Sequence, residues 1–343
     1  MKRTRSTIKD IAKAAQVTPT TVSLALNNRS GVSEPTRSRI VQIARDMNYQ
    51  PDYIARGLRN KQTYTIGLMV KNIADPFYPQ LAKEIIDYAQ TLNYTTILCN
   101  VGDDIRIKTK CLNDLLNKGV DGILTTTVLN DDPYLSQILM DQIPFVAVVR
   151  TVTSPELRRA VSSVTLDNFA GGYMAVEHLI KLGHRRIGIL AGGLHTSTAR
   201  LRTAGARQAL ADAGLTDDHK LVIDCDYDRH LAGQAAKRLL TLKDRPTALF
   251  AQDDNMALQA REVVLSRGLS IPEDMALIGF DNIDMAGLTG IELSTIDQKI
   301  VLMGQESVSC LVENIQETGA KVKTVSLHPE LIIRRSCGYL NKA

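Results

Sequence analysis

No apolar run in this 343-residue chain approaches the ~18 residues a membrane-crossing helix requires, so no membrane span is expected. The amino terminus, MKRTRSTIKD, is basic but has no apolar segment behind it, which argues against a secretory signal peptide. Cysteine is scarce. The five residues Cys99, Cys111, Cys225, Cys310 and Cys337 are odd in number, widely scattered and never spaced C-x-x-C. They read as reduced thiols of a cytoplasmic protein, not as a disulfide framework or a zinc site. The six histidines form no ligand-spaced cluster, so no metal is expected. There is no G-x-S-x-G elbow, no phosphate-binding G-x-x-x-x-G-K-[ST] loop and no G-x-G-x-x-G turn. Asp253 and Asp254 are adjacent, but neighbours in sequence rarely address one glycosidic bond from opposite sides. Neither a cofactor nor an enzyme is indicated.

What is present is a globular composition, 44% hydrophobic, at a length that admits two or three domains. The first 50 residues carry three short helical patterns with too few apolar positions for a large core. Ile8, Ile11, Ala12 and Ala15 recur at helical spacing up to Gln16-Val17. Thr18 then stands where an N-cap belongs, and Pro19 occupies the first helical position, where its missing N–H costs nothing. The second helix, 20–27, turns Val22, Leu24, Ala25 and Leu26 at least partly inward. Ser33 can cap a third, 34–47, with Ile40, Val41, Ile43 and Ala44 inward and Arg37, Arg39 and Arg45 mostly outward. So tight a joint between the first two helices makes a helix-turn-helix, whose second helix can enter a DNA major groove. The spacing equally suits an αα-hairpin in an ordinary core.

Charge separates the two. Residues 1–60 hold eleven Lys and Arg against four acids, +7, whereas the whole chain is +4 and residues 61–343 therefore −3. A basic module on a mildly acidic body suits phosphate-backbone binding. The segments TIKDIAKAAQVTPTTVSLALN, VSEPTRSRI and MNYQPDYIARGL resemble the headpiece of LacI/GalR-type bacterial transcription regulators. That resemblance implies hydroxyl contacts to phosphate or sugar from Thr18, Ser23, Ser33 and Thr36. It places Thr20 and Leu24 at base edges with Pro19 beside them, and adds Asn27, Tyr49 and Ala55 to the DNA-facing set. Leu24 departs from the many relatives with Arg there, replacing a bidentate guanine contact by one that suits a thymine methyl. Residues 51–62 are then a hinge helix, with Leu58 as a minor-groove wedge and Arg56 and Arg59 near the backbone. Read from the residues alone, Asp52 to Leu58 is short for a helix and weakened by Gly57, and a plain linker is the alternative.

From Tyr64 onward, β-rich apolar runs alternate with amphipathic helices: TIGLMV, TTILCN, VDGILTTTV, PFVAVV, VSSVTLDN, then RIGILAG, LVIDCDY, TALFAQ and MALIGFD. Repeated βαβ means parallel, doubly wound sheets. The expected fold class is thus α+α/β: a helix-turn-helix headpiece (1–50), a hinge helix (51–62) and a two-lobed, periplasmic-binding-protein-like effector and dimerisation domain (63–343). Such lobes take ligands in the cleft at the carboxyl ends of their strands. The candidates there are Asp75 with the aromatic face of Phe77-Tyr78 after the first strand, Arg150 after PFVAVV, Asp253 and Asp254 after TALFAQ, and Asp281 after MALIGF. The resemblance adds Thr198 and Arg202 from TARLRTAG, Gln298 from STIDQ, and Tyr227 as an aromatic lid. Each alone also reads as a helix cap or surface turn. Together, carboxylates, guanidinium groups and aromatic faces suit a sugar-like effector, while two arginines also admit a phosphorylated one.

A homodimer is expected, because one headpiece reads only half of a symmetric operator. Its interface candidates are the Leu81, Ile85, Ile86, Ala89 stripe and the 107–118 helix. No heptad tail follows LIIRRSCGYL, so no tail-mediated tetramer is expected. The reading is a cytoplasmic, DNA-binding, effector-controlled repressor of carbohydrate-related genes, with no membrane partner. The alternatives are a regulator dependent on a nucleobase or phosphocarrier-protein corepressor, and a solute-binding protein of a transport system.

Overall fold

The computed structural model describes residues 6–47, 49, 62–129, 132–317 and 319–339. The chain divides into two compact units, Met1–Thr63 and Tyr64–Ala343. The expected hinge residues Ala55, Arg56, Leu58 and Arg59 lie outside the described residues.

The first unit opens with α1 (Ile8–Ala15), started by a reciprocal cap. Thr7 Oγ1 accepts the Asp10 N–H at 3.3 Å, and the Asp10 carboxylate accepts the Thr7 N–H at 2.8 Å. Gln16, in the left-handed region at φ 52°, ends it. Thr18 caps α2 (Pro19–Leu26), its hydroxyl accepting from the Thr21 N–H at 3.1 Å. In α3 (Glu34–Asp46), Ser33 stands at the N-cap position without capping; its hydroxyl pairs with that of Thr36 at 2.8 Å. The core is small, as the sequence implied: Ile11, Ala12, Ala15, Val22, Ala25, Ile40 and Ala44.

Arg37, assigned to the outer surface, works inward instead, while Arg39 is exposed as expected and still reaches a carbonyl. Arg37 Nη1 donates to the Ala25 carbonyl at 2.9 Å and Nη2 to the Arg29 carbonyl at 2.8 Å. Arg39 Nη2 donates to the Ala15 carbonyl at 3.0 Å. The last carbonyls of α1 and α2 lack intrahelical partners, and these guanidinium groups satisfy them.

The second unit holds two six-stranded sheets. In the first lobe β1 (Thr65–Val70), β2 (Thr95–Asn100), β3 (Gly122–Thr125), β4 (Phe145–Val148) and β5 (Ser162–Leu166) alternate with α4 (Phe77–Thr91), α5 (Ile105–Asn117), α6 (Tyr134–Met140) and α7 (Pro155–Arg158). In the second, α8 (Asn168–Lys181) leads to β6 (Ile187–Ala191). There follow α9 (Ser197–Asp212), β7 (Val222–Asp224), α10 (Arg229–Leu240), β8 (Ala248–Ala251), α11 (Asp254–Ser266), β9 (Ala276–Asp281) and β10 (Ser294–Asp297). The chain then returns: α12 (Ile300–Gln316) leads to β11 (Thr324–Leu327), which pairs with β5 in the first sheet, and β12 (Glu330–Ile332) pairs with β10 in the second. The orders are β11-β5-β4-β3-β1-β2 and β12-β10-β9-β8-β6-β7, all pairings parallel except the antiparallel β10–β12. The inner strands are buried on both faces, which is why they read as unbroken apolar runs.

Of the interface candidates on α4, Leu81, Ile85 and Ala89 are fully buried in the chain's own core, so that stripe serves packing and only Ile86 is half-exposed. On α5 the outer positions Ile105 and Ile107 are exposed, while Cys111, Leu112 and Leu115 face inward. All five cysteines are free of disulfides.

Candidate functional site

In the headpiece, Thr18, Pro19, Thr20 and Asn27 lie at the surface, with Ser23 and Leu24 half-buried beside them, while Val22 and Ala25 are buried on the opposite face of α2. That stripe is the surface α2 can offer to a groove. Ser33 is exposed and Thr36 half-buried next to it. The Asn27 amide donates to the Ser23 carbonyl at 2.7 Å, closing the end of α2. Tyr49 packs against the headpiece core.

In the second unit a small cavity sits between the lobes at the carboxyl ends of the strands. It gathers Asp75, Phe77, Arg150, Thr198, Arg202, Asp281 and Gln298, all seven named above, from β1, β4, β9, β10 and α9 or the turns after them. Asp254, named with them, is not there. It is fully buried, with Oδ1 accepting from Thr295 Oγ1 at 2.6 Å and Oδ2 from the Ile283 N–H at 3.0 Å. Its neighbour Asp253 faces the cavity instead while also capping α11, its Oδ1 accepting the Met256 N–H at 2.6 Å. Adjacent residues at a helix start point in different directions, and the one at the N-cap looks out of the helix.

Tyr78 stands there beside Phe77, while Lys71, Asn72 and Val149 also line the cavity and were missed. Lys71 and Asn72 follow β1, so the rule that found Asp75 could have found them. Tyr227 also lines the cavity, its hydroxyl 3.0 Å from that of Thr198. Its ring rests on Gly192, where a Cβ would stand 2.2 Å from Tyr227 Cζ, so only glycine leaves it room.

Close helix packing positions the charged groups. A Cβ on Gly205 of α9 would meet the Phe169 carbonyl oxygen of α8 at 2.0 Å, and one on Gly172 the Arg202 carbonyl oxygen at 2.1 Å. The backbones therefore nearly touch, and Arg202 Nε reaches Asn168 Oδ1 at 2.8 Å. Arg202 Nη1 donates to the Gln252 carbonyl at 2.5 Å and lies 3.9 Å from Asp281 Oδ1, and its guanidinium stacks 3.5 Å above the Phe280 ring. Gln298 Nε2 donates to Asp281 Oδ1. On the other wall, Asp103 receives Arg150 Nη1 at 2.7 Å and Lys71 at 3.2 Å.

Burial dominates the titration of these groups. It raises Asp75, Asp281 well above the usual carboxylate range, and Asp253 to about 8, the last aided by the charge of Asp75. Burial opposes the charge of Asp103 too, but Arg150 and Lys71 outweigh it and hold that pKa below normal. The backbone is also strained around the cleft: Val149 (φ 68°), Asp226 (φ 50°), Tyr227 (φ 56°), Asp281 (φ 119°) and Asn282 (φ 57°) sit where non-glycine residues seldom do.

Residues 7–52 match the model of the bacterial regulatory proteins of the lacI family, and residues 176–337 that of a periplasmic binding protein-like domain. The HTH-type transcriptional repressor PurR of Photobacterium profundum is 34% identical over 338 residues, spanning 98% of this chain and 100% of its own. The chain belongs to the LacI family. As a LacI-family protein it is a DNA-binding transcriptional regulator with a ligand-binding effector domain. Among solved structures it is similar to a Lac repressor dimer bound to operator and the anti-inducer ONPF, with 26% identity and a TM-score of 0.86. That match covers 97% of this chain and 99% of the other. It is similar also to a transcriptional regulator CelR–cellobiose complex, with 29% identity and a TM-score of 0.75, covering 97% and 100%. Among the described residues no helix is long and apolar enough to cross a membrane.

Proposed function

We propose that this LacI-family regulator represses carbohydrate-related genes. It binds a pseudo-palindromic operator as a homodimer through the exposed stripe of α2, with residues 1–50 as headpiece, 51–62 as hinge and 63–343 as effector domain. A small polyhydroxylated effector in the interlobe cleft controls it.

The observation that carries this reading is the cleft's polar lining. Asp75, Asp253 and Asp281 offer acceptors to hydroxyl groups, Arg150 and Arg202 offer donors, and Phe77, Tyr78 and Tyr227 offer ring faces for C–H groups. A phosphorylated sugar fits poorly. Arg202 is already engaged by Asn168 and the Gln252 carbonyl, and Asp103 offsets one of the two charges of Arg150 and Lys71, which leaves a single positive charge for a dianion. The structurally similar regulator CelR forms a complex with cellobiose, in keeping with a saccharide. A nucleobase corepressor is the second reading, favoured by the three ring faces, which suit a planar heterocycle.

Control is a population shift. The effector must bind one arrangement of the lobes more tightly than the other, since equal binding shifts nothing. The test is fluorescence anisotropy on an operator recovered by selection, titrated with hexoses, pentoses, disaccharides and nucleobases. A sugar should change operator affinity by about tenfold or more. A response confined to nucleobases would refute the carbohydrate reading.

A further inference from the structure

One corner of the cleft holds more cation than anion. Asp103 is shared by two positive groups, Arg150 Nη1 at 2.7 Å on one oxygen and Lys71 Nζ at 3.2 Å on the other. The Arg150 side chain is only 2% exposed, and its second amino nitrogen, Nη2, has no hydrogen-bond partner. Arg150 and Lys71 both line the cavity. A guanidinium cannot shed its charge, and a buried N–H without an acceptor is destabilising. Nη2 therefore awaits an acceptor brought by the ligand.

The surrounding carboxylates do not supply it. Asp75 directs Oδ1 to the Phe77 N–H at 3.1 Å. Asp75, Asp253 and Asp281 all have proton affinities raised first by burial, so together they carry less than three negative charges at neutral pH. Asp103 remains the committed anion of this corner, facing two cations.

We infer that the effector is a sugar acid, a uronic or aldonic acid, whose single carboxylate docks between Arg150 Nη2 and Lys71 Nζ while its hydroxyls face Asp253 and Asp281. The inference rests on the sugar reading above and narrows it. A carboxylate completes a two-cation, two-anion corner with charge-assisted hydrogen bonds. A phosphate monoester, at nearly two charges near neutral pH, brings one more charge than this corner leaves unmatched. A neutral sugar can offer Nη2 only a hydroxyl oxygen.

The test is isothermal titration calorimetry on the full-length protein. The panel is the hexuronates, hexonates, neutral hexoses and hexose 6-phosphates of the gluco, galacto and manno series. At least one acid should bind about tenfold more tightly than its neutral parent, and uronate against aldonate separates a ring from an open chain. Arg150→Met should reduce that acid to the affinity of the neutral parent, and Arg150→Lys should restore part of the preference. A neutral parent that binds as tightly as its acid, a 6-phosphate that binds tightest, or a preference that survives Arg150→Met overturns the inference. Should the variants fail to fold, the wild-type ratio of acid to neutral affinity decides alone. If neutral sugars bind and acids do not, this inference falls and the sugar reading stands. If neither binds to protein that still selects an operator, both fall.

Discussion

Replacing Asp253 by asparagine should stabilise the ligand-free effector domain, and increasingly so as pH rises. Asp253 is 3% exposed, and burial, then the charge of Asp75, lifts its pKa from 3.8 to about 8. Between those two values the folded protein holds a proton that the unfolded chain has released. Raising the pH therefore favours unfolding, and the loss is complete once the pH passes the folded value of about 8. At about 1.4 kcal/mol per unit the ceiling is about 6 kcal/mol. Proton sharing with Asp75 and Asp281 spreads that cost, so one substitution should recover about 1–3 kcal/mol. Asparagine keeps an acceptor for the Met256 N–H and caps helices as well as aspartate does, so the start of α11 survives. Urea unfolding of wild type and Asp253→Asn at about pH 5, 6.5 and 8 measures the difference. A gain that does not grow with pH, or a variant less stable at every pH, would refute the reasoning.

Other substitutions separate structure from recognition. Arg37→Met removes the donors to the Ala25 and Arg29 carbonyls and should destabilise the headpiece by about 1–3 kcal/mol. Operator affinity should fall with it while calorimetric effector affinity stays unchanged. Asp281→Ala should abolish the effector response with operator affinity retained, and a normal ligand titration would contradict that role. Asp254→Ala should instead lower the urea midpoint by the equivalent of about 2–4 kcal/mol, because Thr295 and the Ile283 N–H lose a buried acceptor. Loss of ligand binding at unchanged stability would contradict it. Leu58→Gly should weaken operator binding in a gel-shift assay without altering effector affinity.

The headpiece was legible because its signals are local: Thr18 and Pro19 at one helix start, and apolar spacing short enough to read without a partner. The cleft was legible for a similar reason, since parallel sheets put their chemistry just past strand ends, and every residue named there except Asp254 lines one cavity. Asp254 was misplaced because its one-residue difference from Asp253 is decided by the N-cap geometry of α11, to which composition is blind. Arg37 was read as surface charge because its acceptors are carbonyls of another helix and the loop after it. The return of α12 and β11 to the first sheet, and the pairing of β12 with β10, could not be read because sheet membership depends on partners far off in sequence.

The central claim is that this is a two-fold, operator-binding regulator whose specificity lies in the headpiece. The most direct test is selection of bound duplexes from a random DNA pool by purified full-length protein, first alone and then with the candidate effectors. An enriched pseudo-palindrome, lost when Thr20 and Leu24 are both replaced by alanine, is the predicted result. A folded protein that enriches no sequence, alone or with any of the effectors, would contradict the account.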